Sequence, residues 1–446
     1  MHYVQKARFK DILGPHGSHS SHMFSRQLLS NIARYASGEA LARIASVAVM
    51  VFLAHRYSVV ILGAYALAIT LSGYGFTIID FGMKHIGARL IAQYPQHGSE
   101  IVRRVQRRRV LMGSIAIPLL VVYALFTRFP ATLIWFVVLF SVTSTLYAAS
   151  LDWVAWGKEH LQLVGGFRAL VPICILIAVV TSRAEGISVL WWAAGGNLVG
   201  YILQASVFWW WWWKQAPGRQ DNVVPAAIQD SLLWRATVVM GFAWFAQIAF
   251  NSIDTLMLGV VSGPEQVGLY AAAYRLMSQI LIVYYLAVLP LYPPLARIAP
   301  ELRGGALRPR ILLSLVGIGA CISIALSLLR RPLLQLVFGH SFLAAATLLM
   351  VLAWAVPLDF LTSYLNNAYI AWGMERKLLN CILLGAGTNI VLNLLLLPKY
   401  GATAAAANTI VAYIVYLAGL LALRREVQRD NRRSYAAMPA VADGFR

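Results

Sequence analysis

Ile61-Leu-Gly63-Ala-Tyr65-Ala-Leu-Ala68 opens an apolar run that extends to Gln93 and ends in basic sequence around Lys84 and Arg89. About 205 residues further on, Gln266-Val-Gly268-Leu-Tyr270-Ala-Ala-Ala273 opens a second run, which reaches Pro300 and again ends in Arg-bearing sequence. Gly63-x-Tyr65-Ala66 thus aligns with Gly268-x-Tyr270-Ala271. Each copy follows an apolar segment that carries a lone carboxylate or an ion pair, and each opens the second helix of a half. Weak internal symmetry of this kind is the mark of a duplicated transporter fold.

The rest of the composition agrees. Of 446 residues, 60% are apolar and 12% charged, with mean hydropathy +0.68. Soluble domains carry roughly a quarter charged residues. The deficit comes from many apolar runs close to the roughly 20 residues that cross a bilayer core. The chain therefore reads as an all-α polytopic membrane protein. A net charge of +20 would suit nucleic acid, but the charges sit in short loops and tails between apolar runs, which excludes that class. Cys174, Cys321 and Cys381 fall inside expected spans with no metal-ligand spacing, and read as small buried hydrophobes.

Hydropathy marks about twelve spans, near 37–55, 61–83, 110–127, 131–151, 162–181, 187–213, 236–261, 267–291, 310–329, 342–364, 378–397 and 402–423. Residues 1–36 form an N-terminal extension and an interfacial helix. Within it, His2, His16, His19 and His22 lie amid Gly, Ser and Pro, in what reads as a disordered extension or an expression remnant ending near Met23. No compact apolar region with a small-residue cleavage site precedes the first span. Residues 37–213 make the first half and 236–423 the second. The polar, proline-bearing stretch 214–235 links them, and 424–446 is a basic tail. Outside the spans, every Lys and Arg falls on one side except Arg56, Arg128, Arg183, Arg330, Arg331 and Lys399, so both termini are expected in the cytoplasm. The basic stretch Arg103–Arg109 reads as a lipid-facing cytoplasmic loop. Trp209–Trp213 read as an interfacial aromatic belt, with a sugar-stacking platform as the other reading.

Ionisable residues at membrane depth are costly, and each is a functional candidate. Glu39 and Arg43 stand four apart on one helical face, as do Asp80 and Lys84, so each couple is expected to pair. Arg43 and Lys84 are also candidates to line a polar path between the halves. Arg168 and Arg275 have no local acid partner. A guanidinium facing a water-filled cavity suits phosphate, because its planar fork engages two oxygens at once. For Arg168, snorkelling toward the interface is the alternative. Asp254, with Asn251, Ser252 and Thr255 around it, is a candidate to bind Na⁺ or carry a proton, or to pair with Arg275. Asp359 is a second candidate partner for an intramembrane Arg. Asn389 and Asn393 share a helical face, where interhelical hydrogen bonding or ion coordination would use them; Asn366 and Tyr369 form a looser pair. Phosphate-cradling loops, Gly-x-Ser-x-Gly and His-Glu-x-x-His are missing, and no long loop is available to house catalysis, so the chain is not expected to be an enzyme.

These positions resemble Wzx-type polysaccharide flippases. The resemblance rests on Gly63-Ala-Tyr65 with Ile-Ile-Asp80-Phe-Gly82-Met, and on Asn251-Ser-Ile-Asp254 with Val267-Gly268-Leu-Tyr270-Ala-Ala-Ala-Tyr274-Arg275. It continues through Ala371-Trp-Gly373-Met-Glu375-Arg376-Lys377, Asn389-x3-Asn393, Leu397-Pro398-Lys-Tyr-Gly401-Ala402 and Ala404–Ala407, covering about residues 30–423. That family shares a superfamily with multidrug/toxin extruders and lipid II flippases. What the resemblance implies is two bundles of six helices in a V around a cationic cavity. It also implies movement of undecaprenyl-diphosphate-linked oligosaccharide across the bacterial inner membrane, with a polysaccharide polymerase and a chain-length regulator as partners. No cofactor is implied beyond a coupling H⁺ or Na⁺. In the related lipid II flippases a seventh-helix Asp and an Asn-x3-Asp pair help bind Na⁺; here Asp254 and Asn389 match, whereas Asn393 stands in place of the second Asp. The expected diphosphate residues are Arg275, Arg43 and Lys84, with Arg168 in the same cationic cavity. A multidrug or cation antiporter of the same fold is the nearest rival. A membrane glycosyltransferase or polymerase is the more distant one.

Overall fold

The computed structural model describes residues 18–215, 230–288, 307 and 309–436, with side chains from residue 34 onward at the N-terminal end. The His-bearing extension and the linker 214–235 fall largely outside these residues, and the basic tail is described as far as Ala436. Every regular element among the described residues is helical.

The first half runs α1 (Ser18–Arg56), α2 (Val59–Asp80), α3 (Met83–Gln93), α4 (Gly98–Leu125), α5 (Ala131–Ser144), α6 (Asp152–Gly157), α7 (Leu161–Arg168), α8 (Leu170–Thr181) and α9 (Ser188–Gln215). The second runs α10 (Asp230–Val261), α11 (Pro264–Val288), α12 (Pro309–Phe338), α13 (Ala346–Ala353), α14 (Ala355–Ala371) and α15 (Glu375–Ala436). Among the described residues, eight helical segments are long and apolar enough to cross a membrane, or nine if the bent α13–α14 pair is one span. α15 covers two of the twelve expected spans, and α9 and α11, which fall short of that apolar standard, coincide with one each.

α15 has 62 residues. As one rod it would measure roughly 90 Å, about three times the bilayer core. It instead reverses at Leu397–Gly401, where Gly401 takes φ 54°, ψ −138° next to Pro398. A side chain is rarely accommodated there. After the turn the chain runs back along itself: Gly419 lies against Cys381, and Asn408 donates to Asn393 Oδ1 at 2.9 Å.

The interfacial helix expected to lead into the first span and that span form one continuous helix, Ser18–Arg56. The apolar repeat at Phe24, Leu28, Ile32 and Tyr35 simply continues into the span, with no breaker between.

α2 is the axis of the molecule. Most of it is buried, against α4 and α5 on one side and against α10 and α11 of the other half. In lipid there is no water to drive helices together, so close backbone packing has to do so, and small residues permit it. A Cβ on Gly63 would sit 1.9 Å from Pro264 O; one on Gly268 would sit 2.3 Å from Val59 O. The two glycines of the internal repeat therefore face each other and bring the halves together at one end. Along the same seam, Gly73 lies near Ile248, and Phe81 packs on Gly241. Tyr123 OH donates to Leu256 O at 2.6 Å, and Arg128 N donates to Gly259 O at 3.0 Å. The outer helix faces carry exposed Ile44, Val110, Leu328, Leu336 and Leu395, as a lipid-facing surface requires.

Candidate functional site: a charged cavity between the halves

Between the two halves lies a cavity of about 760 Å³. The first half lines it with α1, α2, α3, α5, α6, α7, α8 and α9, and the second with Trp244 of α10 and Arg275 and Gln279 of α11. Arg43, Lys84, Arg168 and Arg275, the cations singled out in the sequence, all line it. So do Glu39, Asp80 and Asp152.

The acids are engaged. Glu39 Oε1 takes Arg43 Nε at 2.9 Å, and its Oε2 takes Arg168 Nε at 3.0 Å. The Glu39–Arg43 pair thus forms as the spacing suggests. Arg168 differs from the sequence reading, for it has both Glu39 and the Tyr35 hydroxyl, to which its Nη1 donates at 3.2 Å. Those partners come from α1, far away in sequence, and local spacing could not reveal them.

Asp80 and Lys84 do not pair through their side chains as the spacing suggests. The helix breaks between them: Phe81 has φ 37° and Gly82 φ 81°, so α2 stops and α3 starts in a new direction. Asp80 then accepts the Lys84 backbone N–H at 3.1 and 3.2 Å. Lys84 Nζ turns to Asp152 Oδ2 at 2.5 Å and to the Tyr147 hydroxyl at 3.2 Å. Burial opposes the ammonium charge, but Tyr147 and Asp152 more than offset it and hold the Lys84 pKa above its ordinary value.

The side-chain partner of Asp80 is Arg109, whose Nη1 also donates to Ser150 O at 3.1 Å. Arg109 is 0% exposed. The expected lipid-facing loop at Arg103–Arg109 is in fact the first turns of α4, and Arg109 points inward. Its signal was present in the sequence: Ile101, Val105, Arg109, Gly113 and Ala116 fall on one helical stripe, all of it buried.

Arg275 is different. Its Nε is buried with no hydrogen-bond partner, and no carboxylate pairs with it among the described residues. Among the described residues Arg275 thus lines the cavity with no carboxylate of its own, and Arg43 and Arg168 share a single one, Glu39.

A second polar cluster lies inside the other half. Asp254, 1% exposed, accepts from Asn393 Nδ2 at 2.5 Å, the Tyr270 hydroxyl at 3.1 Å and the Thr409 hydroxyl at 3.1 Å. Asn393 Nδ2 also reaches Asn389 Oδ1 at 3.2 Å. Asp254, Asn389 and Asn393 thus converge from α10 and α15. Asn251 is exposed and takes no part in the cluster. Asp254 binds these donors rather than Arg275. Tyr270, Asn408 and Thr409 escaped the sequence reading; Tyr270 is the repeat tyrosine, whose hydroxyl had no assigned partner. Asp359 likewise takes hydroxyls rather than an arginine, from Tyr413 at 3.0 Å and Ser363 at 3.4 Å. Tyr369 donates to Leu420 O at 2.9 Å, and not to Asn366. Among the tryptophans, Trp211 and Trp212 are buried, whereas Trp209, Trp210 and Trp213 are exposed, with Lys214 Nζ 3.9 Å from the Trp210 ring centroid.

A helical membrane protein built as two packed halves around a charged cavity has known counterparts. A lipid II flippase MurJ in an inward closed conformation matches 92% of this chain and 93% of its own, with TM-score 0.61 and 12% identity. An inward-facing multidrug resistance MATE family transporter of the MOP superfamily matches 91% and 99%, with TM-score 0.63 and 11% identity. At such identity the likeness is one of fold, and the class it defines is a multi-pass helical membrane protein folded like these two. No curated protein matches the chain. The family model for polysaccharide biosynthesis proteins matches residues 28–299, more than half its length, and the chain belongs to that family.

Proposed function

We propose that the protein flips undecaprenyl-diphosphate-linked oligosaccharide across the bacterial inner membrane by alternating access. Its two halves span about residues 37–213 and 236–423, and both termini lie in the cytoplasm. The observation that carries the reading is the unbalanced Arg275 on the wall of the interlobe cavity. A buried guanidinium without a partner is costly, and a diphosphate supplies the oxygens that would satisfy it. Arg43 and Arg168, which share Glu39, stand ready to give part of their charge to the same anion. Lys84 is already committed to Asp152 and contributes chiefly by shaping the wall.

The physical task explains the cavity. Sugar hydroxyls taken into hydrocarbon lose hydrogen bonds, at a cost of a few kcal/mol each. A polar crevice removes that barrier while the lipid tail stays in the bilayer. Contact at Gly63 and Gly268 closes one end, and its release would open it.

Coupling to H⁺ or Na⁺ is assigned to Asp254 with Asn389 and Asn393. A buried carboxylate held only by neutral donors gains from a proton or a small cation. Asn393 offers an amide where a second carboxylate would bind a cation more strongly, so the proton is the better fit. Tyr270, which holds Asp254, is on the same helix as Gly268 and Arg275. α11 therefore connects the ion cluster, the closing contact and the cavity cation over about two turns. A polymerase and a chain-length regulator would use the delivered unit.

Transport in proteoliposomes with a fluorescent undecaprenyl-diphosphate oligosaccharide tests this. Translocation that falls at least about tenfold in Arg275→Ala supports it. Movement of cationic dyes instead would favour drug antiport, which needs free cavity acids; here Glu39, Asp80 and Asp152 are all engaged.

A further inference from the structure

We propose that Trp156, Trp244 and His85 form a carbohydrate subsite in the interlobe cavity, in which a pyranose ring of the head group stacks on indole and is hydrogen-bonded by the imidazole. The proposal rests on the lipid-diphosphate reading of the cavity.

All three side chains line the cavity, and they come from three elements in both halves: α3, α6 and α10. The His85 ring meets Trp156 edge-on at 5.1 Å and 71°, and Trp244 at 5.3 Å and 72°. The imidazole thus sits between the indoles and sets their spacing. Trp156 is 37% exposed and Trp244 48%, so indole surface remains free on the cavity side. An indole face carries negative quadrupole charge and is apolar, which matches the C–H face of a pyranose.

A second feature points to a ligand with hydroxyls. His85 Nδ1 is buried and has no hydrogen-bond partner among the described residues. Buried polar atoms are nearly always satisfied, and one on a cavity wall is satisfied by what enters. Burial lowers the imidazole pKa, Asp80 pulls it up and Lys84 pushes it down, with a net lowering. A neutral ring offers one donor and one acceptor, the same complement a sugar hydroxyl presents.

The arrangement is made by the helix break. Gly82, at φ 81°, turns α3 away from α2, and Phe81 seats against Gly241 of α10. His85 is thereby brought next to Trp244, one turn beyond Gly241. The tryptophan run Trp209–Trp213, the other stacking platform the sequence offers, does not line the cavity. The diphosphate cations Arg43 and Arg275 stand on other helices, α1 and α11. Since Trp156 and Trp244 belong to different halves, rocking of the halves would separate them and release the sugar.

The test is equilibrium binding to the full-length protein in nanodiscs. The probes are undecaprenyl diphosphate and the same lipid carrying glucose, galactose or N-acetylglucosamine. At least one sugar-bearing lipid should bind about tenfold tighter than the bare diphosphate. Trp156→Ala and Trp244→Ala should each lose that increment and leave bare-lipid affinity within about twofold. Trp156→Phe and Trp244→Phe should keep part of it, and His85→Ala should lose part. Arg275→Ala should weaken every probe alike. If sugars add nothing to wild-type binding, or the indole variants weaken bare lipid equally, the subsite is refuted and the diphosphate reading stands. If bare lipid does not bind either, both fall.

Discussion

Arg109 is fully buried and Arg275 half-buried, and the two predict opposite phenotypes. Arg109 is matched to Asp80 and Ser150, so Arg109→Met leaves the part-buried Asp80 carboxylate with only the Lys84 backbone N–H. That change should destabilise the protein by about 1–3 kcal/mol, measured by thermal unfolding in detergent, and Asp80→Asn on top of it should recover most of the loss. Arg275 has nothing in the described protein to lose. Arg275→Ala should leave the unfolding midpoint unchanged or raised and weaken binding of undecaprenyl diphosphate about tenfold; a large drop in midpoint would make it a structural residue. Asp254→Asn should still fold and bind lipid, since Asn can keep some of the contacts, but transport should no longer respond to an imposed proton gradient. A gradient response that survived would remove Asp254 from coupling. At this scale the sequence was informative about which residues matter and poor on their partners. Glu39–Arg43 was legible because one helix holds both. Asp80–Arg109 and Glu39–Arg168 were not, because partners on different helices are set by packing.

At the scale of elements, the Gly63 and Gly268 contact is where the internal repeat acquires a physical role. Each helix presents its glycine so that the other backbone can approach. Gly268→Val would push against Val59 O and hold the end open. A cysteine placed at Ala64, buried in this structure, should then react with an impermeant maleimide in a background lacking Cys174, Cys321 and Cys381. Continued protection would show that the end closes without the contact. The repeat was visible in the chain, whereas the meeting of its two copies was not. Sequence similarity records common ancestry of the halves and is silent on their relative position. The break at Phe81–Gly82 was equally hidden, since apolar sequence continues across it and only the backbone angles reveal the turn.

For the whole molecule, the charge arrangement decides between readings that share one fold. Glu39 and Asp152 are each paired with a cation of the cavity wall, and Asp80 with Arg109, so the cavity favours an anion through Arg275. Membership of the polysaccharide biosynthesis family agrees with a head group that needs both charge and sugar recognition. Linkage through α11 predicts that lipid-diphosphate binding and protonation of the Asp254 cluster influence each other to the same degree in both directions. Titrating the affinity for undecaprenyl diphosphate against pH should show a dependence that disappears in Asp254→Asn; an identical pH profile in the variant would break the link.

By itself the sequence determined the membrane class and the helical spans, and it singled out the short repeat and the ionisable residues on which the proposed function rests. Those follow from hydropathy and spacing along one chain, which bilayer thickness and helical rise convert directly into structure. Tertiary structure alone decided which charges cancel. It gave Arg168 to Glu39, Lys84 to Asp152 and Arg109 to Asp80, left Arg275 without a carboxylate among the described residues, and placed His85 between Trp156 and Trp244. Pairing depends on distances between helices remote in sequence, and a charge acquires its function from whatever packing leaves uncompensated.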